Sequence, residues 1–501
     1  MSTQKAIIIG AGIAGIATAI RLAVKGYDVE VFEANNYPGG KLTSIEKGGY
    51  RFDAGPSLFT MPQYVDELFT LAGKNPRDYF NYQKLDVVCQ YFYEDGTKIT
   101  AYADEQKLAE EITAKTGEPA EAMQKFAANS KRIYQVTNHV FLERSLHRLK
   151  TYLRFDTLKS ILRLLQIDAM RTMHKANQGF FKDSRMVQYF NRYATYNGSN
   201  PYQAPATLNV IPHLEQHYGA WFPEGGMQAI TDSLVALAES VGVKFHYNSP
   251  VEEIVIEDKK TKGIKIKDAL MPADMVVSNM DVWFTYQKLL SKYPELKPHK
   301  ILQQERSSSA LIFYWGIKKQ FKQLDLHNIF FSADYEAEFK HIWQEKDISD
   351  DPTIYLNISS KYKPDDAPPA HENWFVMINV PNNTGQDWDK LIDQARDNIR
   401  KKLFRILGED VKQLITSESI LDPRSIESKT SSYQGSLYGN SSNTQFAAFL
   451  RHANRSSKIQ NLYFCGGSVH PGGGIPLALL SAKIVGEWVT ISQPSPKESE
   501  L

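Results

Sequence analysis

The chain opens with a short apolar run that gives way abruptly to glycines. Residues 6–9 are continuously apolar and rich in β-branched side chains, which predicts a strand covered on both faces. Apolar residues then recur at helical spacing over 13–25, and Gly26 ends that helix. A second strand is predicted over 28–33. The order strand, turn, helix and strand predicts the start of an α/β fold with a doubly wound parallel sheet.

Three glycines at the first turn have the spacing G-x-G-x-x-G. Gly10 lets the chain turn tightly, Gly12 lets the backbone approach a diphosphate, and Gly15 lets the helix pack close to the strand. Ile13 and Ala14 then open the helix, whose first N–H groups and dipole favour a negatively charged ligand. In this context of strand, turn and helix, the motif predicts a dinucleotide-binding site.

An acid and a second pair of glycines follow the second strand. Glu33 lies 23 residues after the first glycine, close to the spacing of an acid that binds a ribose hydroxyl, and Ala34 follows it. The alternative for Glu33 is a solvated strand end. Gly39, Gly40 and Lys41 come next. A nicotinamide domain does not need this second loop, whereas the extended FAD molecule does, so we predict FAD; the alternative is an ordinary turn with a surface lysine.

Further segments suit contact with the same ligand. Over 51–58, aromatic and small residues precede a Gly-Pro break, which suits backbone lying flat against a planar ligand; a plain loop is the alternative. Val251 alternates with polar neighbours and is expected to offer its backbone to an adenine edge. The cofactor-binding residues predicted from these segments and from the end of the strand over 273–279 are Gly55, Pro56, Ser57, Leu58, Val251 and Asn279.

The chain ends with another strand, glycine loop and helix. The strand over 461–465 leads into the loop 466–476, and Pro476 suits the first turn of the helix over 477–490. This repeats the order at the start of the chain, with a helix N-terminus aimed at electron-rich atoms. We expect Gly467 and Ile475 to meet the pyrimidine edge of the flavin, where negative charge lies after reduction.

These motifs divide the chain into two discontinuous domains. Further strands are predicted at 242–247 and 251–257, and a helix at 228–241, whereas helical periodicity dominates from about 73 to 225. Strands mix with helices from about 290 to 450. We predict a Rossmann-type FAD-binding domain of residues 1–72, 225–288 and 452–492. The second domain, which would bind the substrate and associate with a membrane, has a mixed sheet and helices and comprises residues 73–224 and 289–451.

Composition sets limits on this picture. A net charge of +1 over 501 residues gives no general attraction to nucleic acid. Aromatic residues make up 12% of the chain, which suits a large apolar cavity. The two cysteines, Cys89 and Cys465, lack metal-binding spacing, so we expect no metal and a reducing cytoplasm. The first strand starts too early for a signal peptide, and no apolar run reaches the ~18 residues of a membrane-spanning helix.

Residues 140–175 are unusually basic and amphipathic. Leucines recur there at helical spacing, while Lys and Arg outnumber Asp and Glu by five. A basic amphipathic pair of helices predicts peripheral contact with a membrane, here on its inner, cytoplasmic face. The alternative is a solvated helical face over a soluble core.

Taken together, the motifs at 10–15, 33, 39–41, 53–57 and 466–481 resemble the bacterial phytoene desaturase family. Its members are FAD-dependent carotenoid desaturases of the flavin amine oxidase type. The segment 470–476 is the most specific part of the resemblance, since the N-terminal motifs occur in many flavoproteins. Within the family, the chain is most similar to the hydroxycarotenoid 3,4-desaturases of marine Bacteroidetes, which act on one end of a γ-carotene-type substrate.

Two positions depart from the family pattern. Lys41 stands where many relatives carry Arg, so a bidentate phosphate contact is not available there. Many flavin oxidases place an acid near position 467 to bind the ribityl chain. Here Gly467 is followed by Ser468, so that contact must come from backbone, hydroxyl or water.

The resemblance implies an oxidoreductase of carotenoid biosynthesis that removes two hydrogens from adjacent carbons of a hydrophobic polyene. Flavin would take a hydride, the neighbouring carbon would lose a proton, and oxygen or a quinone would accept the electrons. Because the developing cation is delocalised along the polyene, correct placement in an apolar tunnel matters more than a strong base. The candidate catalytic residues are His470 and Glu224, each beside glycines, with a structural loop role as the alternative; His213 and His217 are further candidates.

Other activities of this scaffold stay open from the sequence. The chain could be a phytoene desaturase, or an FAD-dependent carotenoid cis–trans isomerase that causes no net oxidation. An amine oxidase is a further alternative. It would need an aromatic cage for its amine near the flavin, and nothing in the local sequence requires an amine. A carotenoid carrier that merely retains FAD is the non-enzymatic alternative.

Overall fold

Two sheets organise the structure, one parallel and one mixed. The computed structural model describes residues 3–138, 142–154, 157, 159–160, 163, 167–445, 447 and 450–489. The strands are β1 (Lys5–Ile9), β2 (Asp28–Phe32), β3 (Ser44–Lys47), β4 (Tyr50–Asp53), β5 (Phe59–Thr60), β6 (Tyr82–Lys84), β7 (Val87–Phe92), β8 (Lys98–Tyr102), β9 (Ala220–Pro223), β10 (Lys244–His246), β11 (Glu253–Glu257), β12 (Lys260–Ile266), β13 (Ala269–Pro272), β14 (Met275–Ser278), β15 (Ser309–Ile317), β16 (His327–Phe330), β17 (Ile354–Asn357), β18 (Glu372–Val380), β19 (Ile415–Leu421) and β20 (Leu462–Phe464).

Helices cover both sheets and connect them. They are α1 (Ile13–Val24), α2 (Gln63–Leu71), α3 (Glu105–Thr116), α4 (Ala120–Thr137), α5 (Leu149–Tyr152), α6 (Met173–Phe180), α7 (Ser184–Asn191), α8 (Val210–Tyr218), α9 (Gln228–Ser240), α10 (Val282–Phe284), α11 (His299–Leu302), α12 (Tyr335–Lys340), α13 (Trp388–Leu407), α14 (Pro423–Thr430) and α15 (Ile475–Trp488). Of the helices in the described part of the chain, none has the length and hydropathy to cross a bilayer.

β1 lies in the middle of the parallel sheet, whose strand order is β10-β2-β1-β14-β20. Ile7 stands opposite Glu30 on one neighbour and Val276 on the other. Successive side chains enter different layers, since Ile8 packs in the cluster with α1, α9 and α15, whereas Ile7 packs in the cluster with β11 and β12. Burial on both faces explains the continuous apolar run of this strand. The five strands come from the beginning, middle and end of the chain.

The mixed sheet has the order β19-β15-β18-β17-β16-β7-β8. Neighbouring strands are antiparallel except β16 and β7, which run parallel. One face buries Trp315 and Trp374 beneath α13. The opposite face carries alternate residues of the same strands, among them Ile312 and Phe375, and forms the floor of a large cavity.

The region from 73 to 225 is less helical than its periodicity predicts. The chain forms β6, β7 and β8 between residues 82 and 102, where we expected mainly helices, and that expectation was wrong. The β-branched and aromatic run of β7 and the Asp95-Gly96 turn after it are strand and hairpin signals. These signals outweigh the helical spacing of the apolar residues around them.

The basic stretch 140–175 is described only in part. Within that part α5, residues 157 and 159–160 and the start of α6 are helical, whereas the backbone over 143–148 is irregular. Ser145 explains part of this, because its carbonyl accepts a hydrogen bond from Thr151 Oγ1 at 2.8 Å, and its hydroxyl accepts one from the His147 N–H at 3.3 Å. Such local bonds compete with a helix. Leu158, Leu162 and Leu165, whose spacing contributed to the helix prediction, lie outside the described residues.

Shortening a buried side chain of β1 should destabilise the fold more than shortening an exposed side chain of another strand. Ile8 is fully buried, so we expect Ile8→Ala to lower the free energy of unfolding by about 2–5 kcal/mol through lost contacts and a cavity. Leu270→Ala is the matched control, since Leu270 is 51% exposed on β13 and should cost less than about 0.5 kcal/mol. Equal denaturant midpoints for the two variants would contradict the central position of β1.

Candidate active site

Both glycine loops and both helix N-termini predicted from the sequence face one cavity of about 1310 Å³. The loops meet there because each follows a strand of the parallel sheet, and the carboxyl ends of such strands share an edge. The predicted cofactor-binding residues that line the cavity are Gly10, Gly12, Ile13, Ala14, Glu33, Ala34, Gly39, Gly40, Lys41, Gly55, Pro56, Ser57, Leu58, Val251, Asn279, Gly467 and Ile475.

Gly15 is not among the residues that line the cavity. A Cβ at this position would lie 2.2 Å from the Gly10 carbonyl oxygen, so any side chain would push α1 away from the turn. Gly15 therefore acts through helix packing, as the third glycine of the motif is expected to do.

The acid at the end of β2 holds the first glycine loop in place. Glu33 accepts a hydrogen bond from the Ala11 N–H at 2.7 Å and another from the Asn35 N–H at 2.9 Å. The Gly39 N–H donates to the Ala11 carbonyl at 2.8 Å, which aligns the second glycine loop with the first. The carboxylate of Glu33 thus lies at the cavity wall between two backbone turns.

The cradle is built from backbone that leaves no space for side chains. A Cβ on Gly12 would lie 2.6 Å from the Asn279 amide nitrogen, and a Cβ on Gly55 would lie 1.8 Å from the Lys41 carbonyl oxygen. α1 starts at Ile13, its N-cap is Gly12, and no side chain of the described residues caps it. Its first-turn N–H groups are therefore free for an anionic ligand such as a diphosphate. This donor set fits the diphosphate of a dinucleotide cofactor.

Lys41 is held by the protein itself. Its Nζ donates to the Leu437 carbonyl at 3.0 Å and to the Ser436 carbonyl at 3.3 Å. Burial lowers the pKa of Lys41 to about 8, although the nearby Asp281 opposes the shift. A contact with a phosphate, as predicted from the sequence, would have to compete with these two carbonyl groups.

The last loop presents a second uncapped helix to the same cavity. α15 begins at Ile475 after Gly474, and no described side chain accepts from its first turn. Ser468 lines the cavity and accepts a hydrogen bond from the Val282 N–H at 3.0 Å. Its hydroxyl hydrogen stays available for a ligand, whereas Gly467 offers only backbone.

The structure places the two predicted catalytic residues, His470 and Glu224, outside the lining of the cavity. His470 is buried and its Nε2 donates to the Arg144 carbonyl at 2.8 Å. Burial lowers the pKa of His470 to about 4, so the ring is neutral near pH 7. Glu224 is exposed, and its backbone N–H donates to the Asn81 carbonyl. Their position beside glycines in the sequence does not determine which way their side chains point.

The far half of the cavity is mainly apolar. Its floor is the face of the mixed sheet opposite α13, from which alternate residues of β15, β16 and β18 point into the cavity. Residues on and around α8 line the cavity as well. The apolar residues of this half are Leu208, Val210, Ile211, Leu214, Ala310, Ile312, Ile329, Phe375 and Met377. A long apolar ligand would therefore find contacts along several adjacent strands.

One part of this half is polar and was missed in the sequence. We call it the polar wall, and its residues, all lining the cavity, are Arg192, Tyr196, Glu215, His327 and Tyr355. Arg192 Nη2 donates to the Tyr196 hydroxyl at 3.2 Å, and that hydroxyl donates to Glu215 at 2.6 Å. The tyrosine thus bridges the buried cation and the buried carboxylate. These residues come from separate segments of the sequence, which meet only in the fold.

A hydrogen-bond chain links the polar wall to the predicted cofactor loop. The Tyr355 hydroxyl lies 2.6 Å from Ser57 Oγ and 2.7 Å from His327 Nδ1. Ser57 belongs to the segment expected to lie flat against the cofactor. The polar wall is therefore next to the cofactor half of the cavity.

Comparison with known proteins finds relatives along nearly the whole chain. The family model described as flavin containing amine oxidoreductase matches residues 13–487. The chain is 51% identical over 486 residues to a 1-hydroxycarotenoid 3,4-desaturase of Flavobacterium sp., covering 97% of this chain and 99% of the relative. It is 36% identical over 490 residues to a 4,4′-diapolycopene oxygenase of Methylomonas sp., covering 96% of this chain and 97% of the relative.

Solved structures agree on the fold. An oxidoreductase from Methanosarcina mazei superposes with a TM-score of 0.64 at 16% identity, covering 96% of this chain and 100% of that chain. The predictions of an α/β FAD-binding fold, of FAD as cofactor and of an FAD-dependent oxidoreductase are confirmed, as is the resemblance to carotenoid desaturases. The chain therefore belongs to the family of flavin-containing amine oxidoreductases.

Proposed function

We propose that the protein is an FAD-dependent carotenoid desaturase that introduces a C=C bond at the 3,4 position of a hydroxylated, γ-carotene-type carotenoid. One observation carries the proposal: a single cavity joins the glycine loops of the parallel sheet to the apolar floor of the mixed sheet. Cofactor and a long apolar substrate would therefore meet in one enclosed space. The similarity to a 1-hydroxycarotenoid 3,4-desaturase supports this choice over phytoene desaturation or isomerisation.

The chain's own residues are suited to hold FAD in an extended form. The free N–H groups at the start of α1 would bind the diphosphate, and Glu33 would accept hydrogen bonds from a ribose. Gly467 in the loop after β20 and Ile475 at the start of α15 would face the other end of the cofactor. When bound, FAD supplies the acceptor for a hydride taken from the substrate.

The apolar floor would position the polyene and exclude water. Removal of hydride from an allylic carbon would create a cation that the conjugated chain delocalises, and loss of a proton from the neighbouring carbon to water would complete the C=C bond. The main tasks of the protein are then to align the reacting carbons and to keep the space dry. We propose oxygen or a quinone as the final electron acceptor.

We also propose peripheral contact with a membrane, from which so apolar a substrate would be taken. Two large apolar side chains in the basic stretch are strongly exposed, Leu153 at 80% and Met170 at 76%. Arg154, Arg171 and Lys175 are exposed near them in the sequence. Apolar side chains among cations are typical of surfaces that bind anionic bilayers.

The proposed reaction predicts a change of product mass. Incubation of the FAD-loaded protein with acyclic, monocyclic and hydroxylated carotenoids in liposomes should yield a product lighter by two hydrogens, with the hydroxylated monocyclic carotenoid converted fastest. Mass spectrometry of the extracted pigments measures this. A product of unchanged mass with altered double-bond geometry would contradict desaturation and favour the isomerase.

Glu33→Gln should weaken FAD binding by roughly 10- to 100-fold. Because glutamine is neutral, the Ala11 N–H and the ribose hydroxyl would each lose a hydrogen bond to a charged acceptor. The amide nitrogen of glutamine would also place a donor against one of these two donors. Equilibrium dialysis of the apoprotein against FAD measures the dissociation constant. Glu239→Gln, on the exposed end of α9, is the matched control and should bind like the wild type. Unchanged affinity for Glu33→Gln would contradict the ribose assignment.

Leu153→Glu combined with Met170→Glu should lower the fraction of protein bound to anionic liposomes by roughly tenfold, because two apolar side chains can no longer insert. Flotation of liposomes with bound protein measures this, and FAD content should not change. Phe404→Glu is the matched control, since Phe404 is 53% exposed on α13, away from the basic stretch in the sequence. Equal losses for both variants would contradict a localised membrane contact.

A further inference from the structure

Three cations lie close together beside the last glycine loop. We call Lys41, Arg306 and Arg451 the cation cluster. Lys41 and Arg451 line the cavity, and Arg306 is buried beside them. Burial and the positive charge of Arg306 lower the pKa of Lys41 to about 8 and the pKa of Arg451 to about 10. Both side chains are therefore mainly protonated near pH 7, and the cluster contains three positive charges.

Among the described residues, one carboxylate balances these charges. Asp281 accepts a hydrogen bond from Arg306 at 3.1 Å, and its charge also acts on Lys41. The hydrogen bonds of Arg451 within the described chain all go to neutral oxygen atoms. Glu305, the acid next to Arg306 in the chain, is exposed and accepts hydrogen bonds from two other side chains instead. The cluster therefore leaves an excess of positive charge at the cavity.

The segment 436–440 holds all three cations with neutral oxygen atoms. Its first two carbonyl groups accept hydrogen bonds from Lys41. Two further carbonyls of the segment accept from Arg451 at 2.9 and 3.1 Å, and the side-chain oxygen of Asn440 accepts from Arg306 at 3.0 Å. Such oxygen atoms orient a cation and replace its water without cancelling its charge. The segment thus keeps three like charges in place at a site where acids would have neutralised them.

The cluster lies against the loop that is expected to meet the flavin ring. A Cβ on Gly472 would lie 3.2 Å from the guanidinium carbon of Arg451, and a Cβ on Gly473 would lie 2.7 Å from the Cα of Tyr438. The uncapped start of α15 at Ile475 lines the same cavity. Its partial positive charge adds to that of the cluster. A diphosphate would be bound by the backbone N–H groups of α1, so it does not require this excess charge.

We infer that the cation cluster stabilises the negative charge that the flavin ring acquires on reduction, and so raises the reduction potential of the bound FAD. A flavin that accepts a hydride gains two electrons and one proton, and it is an anion unless a second proton follows. Fixed positive charges in a site of low dielectric constant stabilise such an anion more than charges in water do. The inference requires FAD but no particular substrate, so it goes beyond the proposed function.

The test compares the affinity of the protein for oxidised and for reduced FAD. The midpoint potential of the FAD-loaded protein is measured at pH 7 under argon, by reduction with dithionite in the presence of a reference dye. Equilibrium dialysis of the apoprotein gives the dissociation constant of oxidised FAD. The potential of a two-electron couple changes by about 30 mV for each tenfold change in the ratio of the two dissociation constants. The two measurements together therefore give the dissociation constant of reduced FAD.

Removal of a positive charge should weaken the binding of reduced FAD selectively. We expect Lys41→Gln to raise the dissociation constant of reduced FAD at least about tenfold more than that of oxidised FAD, which lowers the potential by at least about 30 mV. Lys41→Arg retains the charge and should retain the potential of the wild type. Arg451→Gln should act like Lys41→Gln, and Arg451→Lys is its charge-preserving counterpart.

Removal of the negative charge should have the opposite effect. Asp281→Asn keeps an oxygen acceptor for Arg306 but leaves the cluster without its carboxylate, so the potential should rise. A general loss of packing would not produce this rise. Lys429→Gln is the matched control, since Lys429 is an exposed cation that lines the cavity near Asn35, after β2, and its removal should leave the potential unchanged.

The outcomes separate the inference from its alternatives. An equal loss of affinity for oxidised and reduced FAD in Lys41→Gln and Arg451→Gln would overturn the inference and assign the cluster to the diphosphate. A potential of Asp281→Asn at or below that of the wild type would also overturn it. If Arg451→Gln does not fold, Lys41→Gln and Asp281→Asn decide. Absence of carotenoid desaturation would contradict the proposed function and leave the measured potentials to decide the inference.

Discussion

The site depends on the close approach of backbone segments at the carboxyl edge of the parallel sheet. The Gly39 N–H donates to the Ala11 carbonyl, the Asn279 amide nitrogen would lie only 2.6 Å from a Cβ on Gly12, and the Lys41 carbonyl fills the space beside Gly55. Side chains at these positions would separate the loops. Only glycine permits these contacts. They hold the loops close together, so that the N–H groups at the start of α1 face the cavity that the loops share. β1, buried on both faces, fixes where that edge lies.

The cofactor half of the molecule could be predicted from the sequence because its signals are local. Gly10, Gly12, Glu33, Asn279 and Gly467 follow strands of the parallel sheet closely, so the strand order brings them to one edge. Gly55 to Leu58 instead follow β4, which pairs with β3 outside that sheet. The helix predicted over 13–25 is formed by 13–24, and the last helix starts at Ile475, two residues before its predicted start. The glycine spacings reflect contacts within one turn, or between turns that neighbouring strands place side by side. Such constraints leave a readable pattern in a single sequence.

The substrate half could not be predicted in the same way. The polar wall joins residues of the 3₁₀ segment Arg192–Asn197, helix α8 and strands β16 and β17, which are far apart in the sequence. Non-local strand pairing in the mixed sheet, including the parallel pair β16 and β7, determines that they meet. Nothing distinguishes Tyr355 from other tyrosines by local spacing. The role predicted for His470 came from its place in a glycine loop, and that local signal did not indicate that its ring would bond to the Arg144 carbonyl.

The two halves of the cavity solve different physical problems. The cofactor half binds a charged ligand with backbone groups, which remain neutral and need no counter-charge. The substrate half contains a buried arginine and a buried glutamate, an arrangement that well-packed apolar residues can often replace with no loss of stability. Stability therefore does not explain why a cavity for an apolar chain should contain this pair. The apolar floor offers no group that could fix the position of a polyene along its own length. The polar wall lies at the end of this floor that is next to the cofactor half, where Tyr355 meets Ser57.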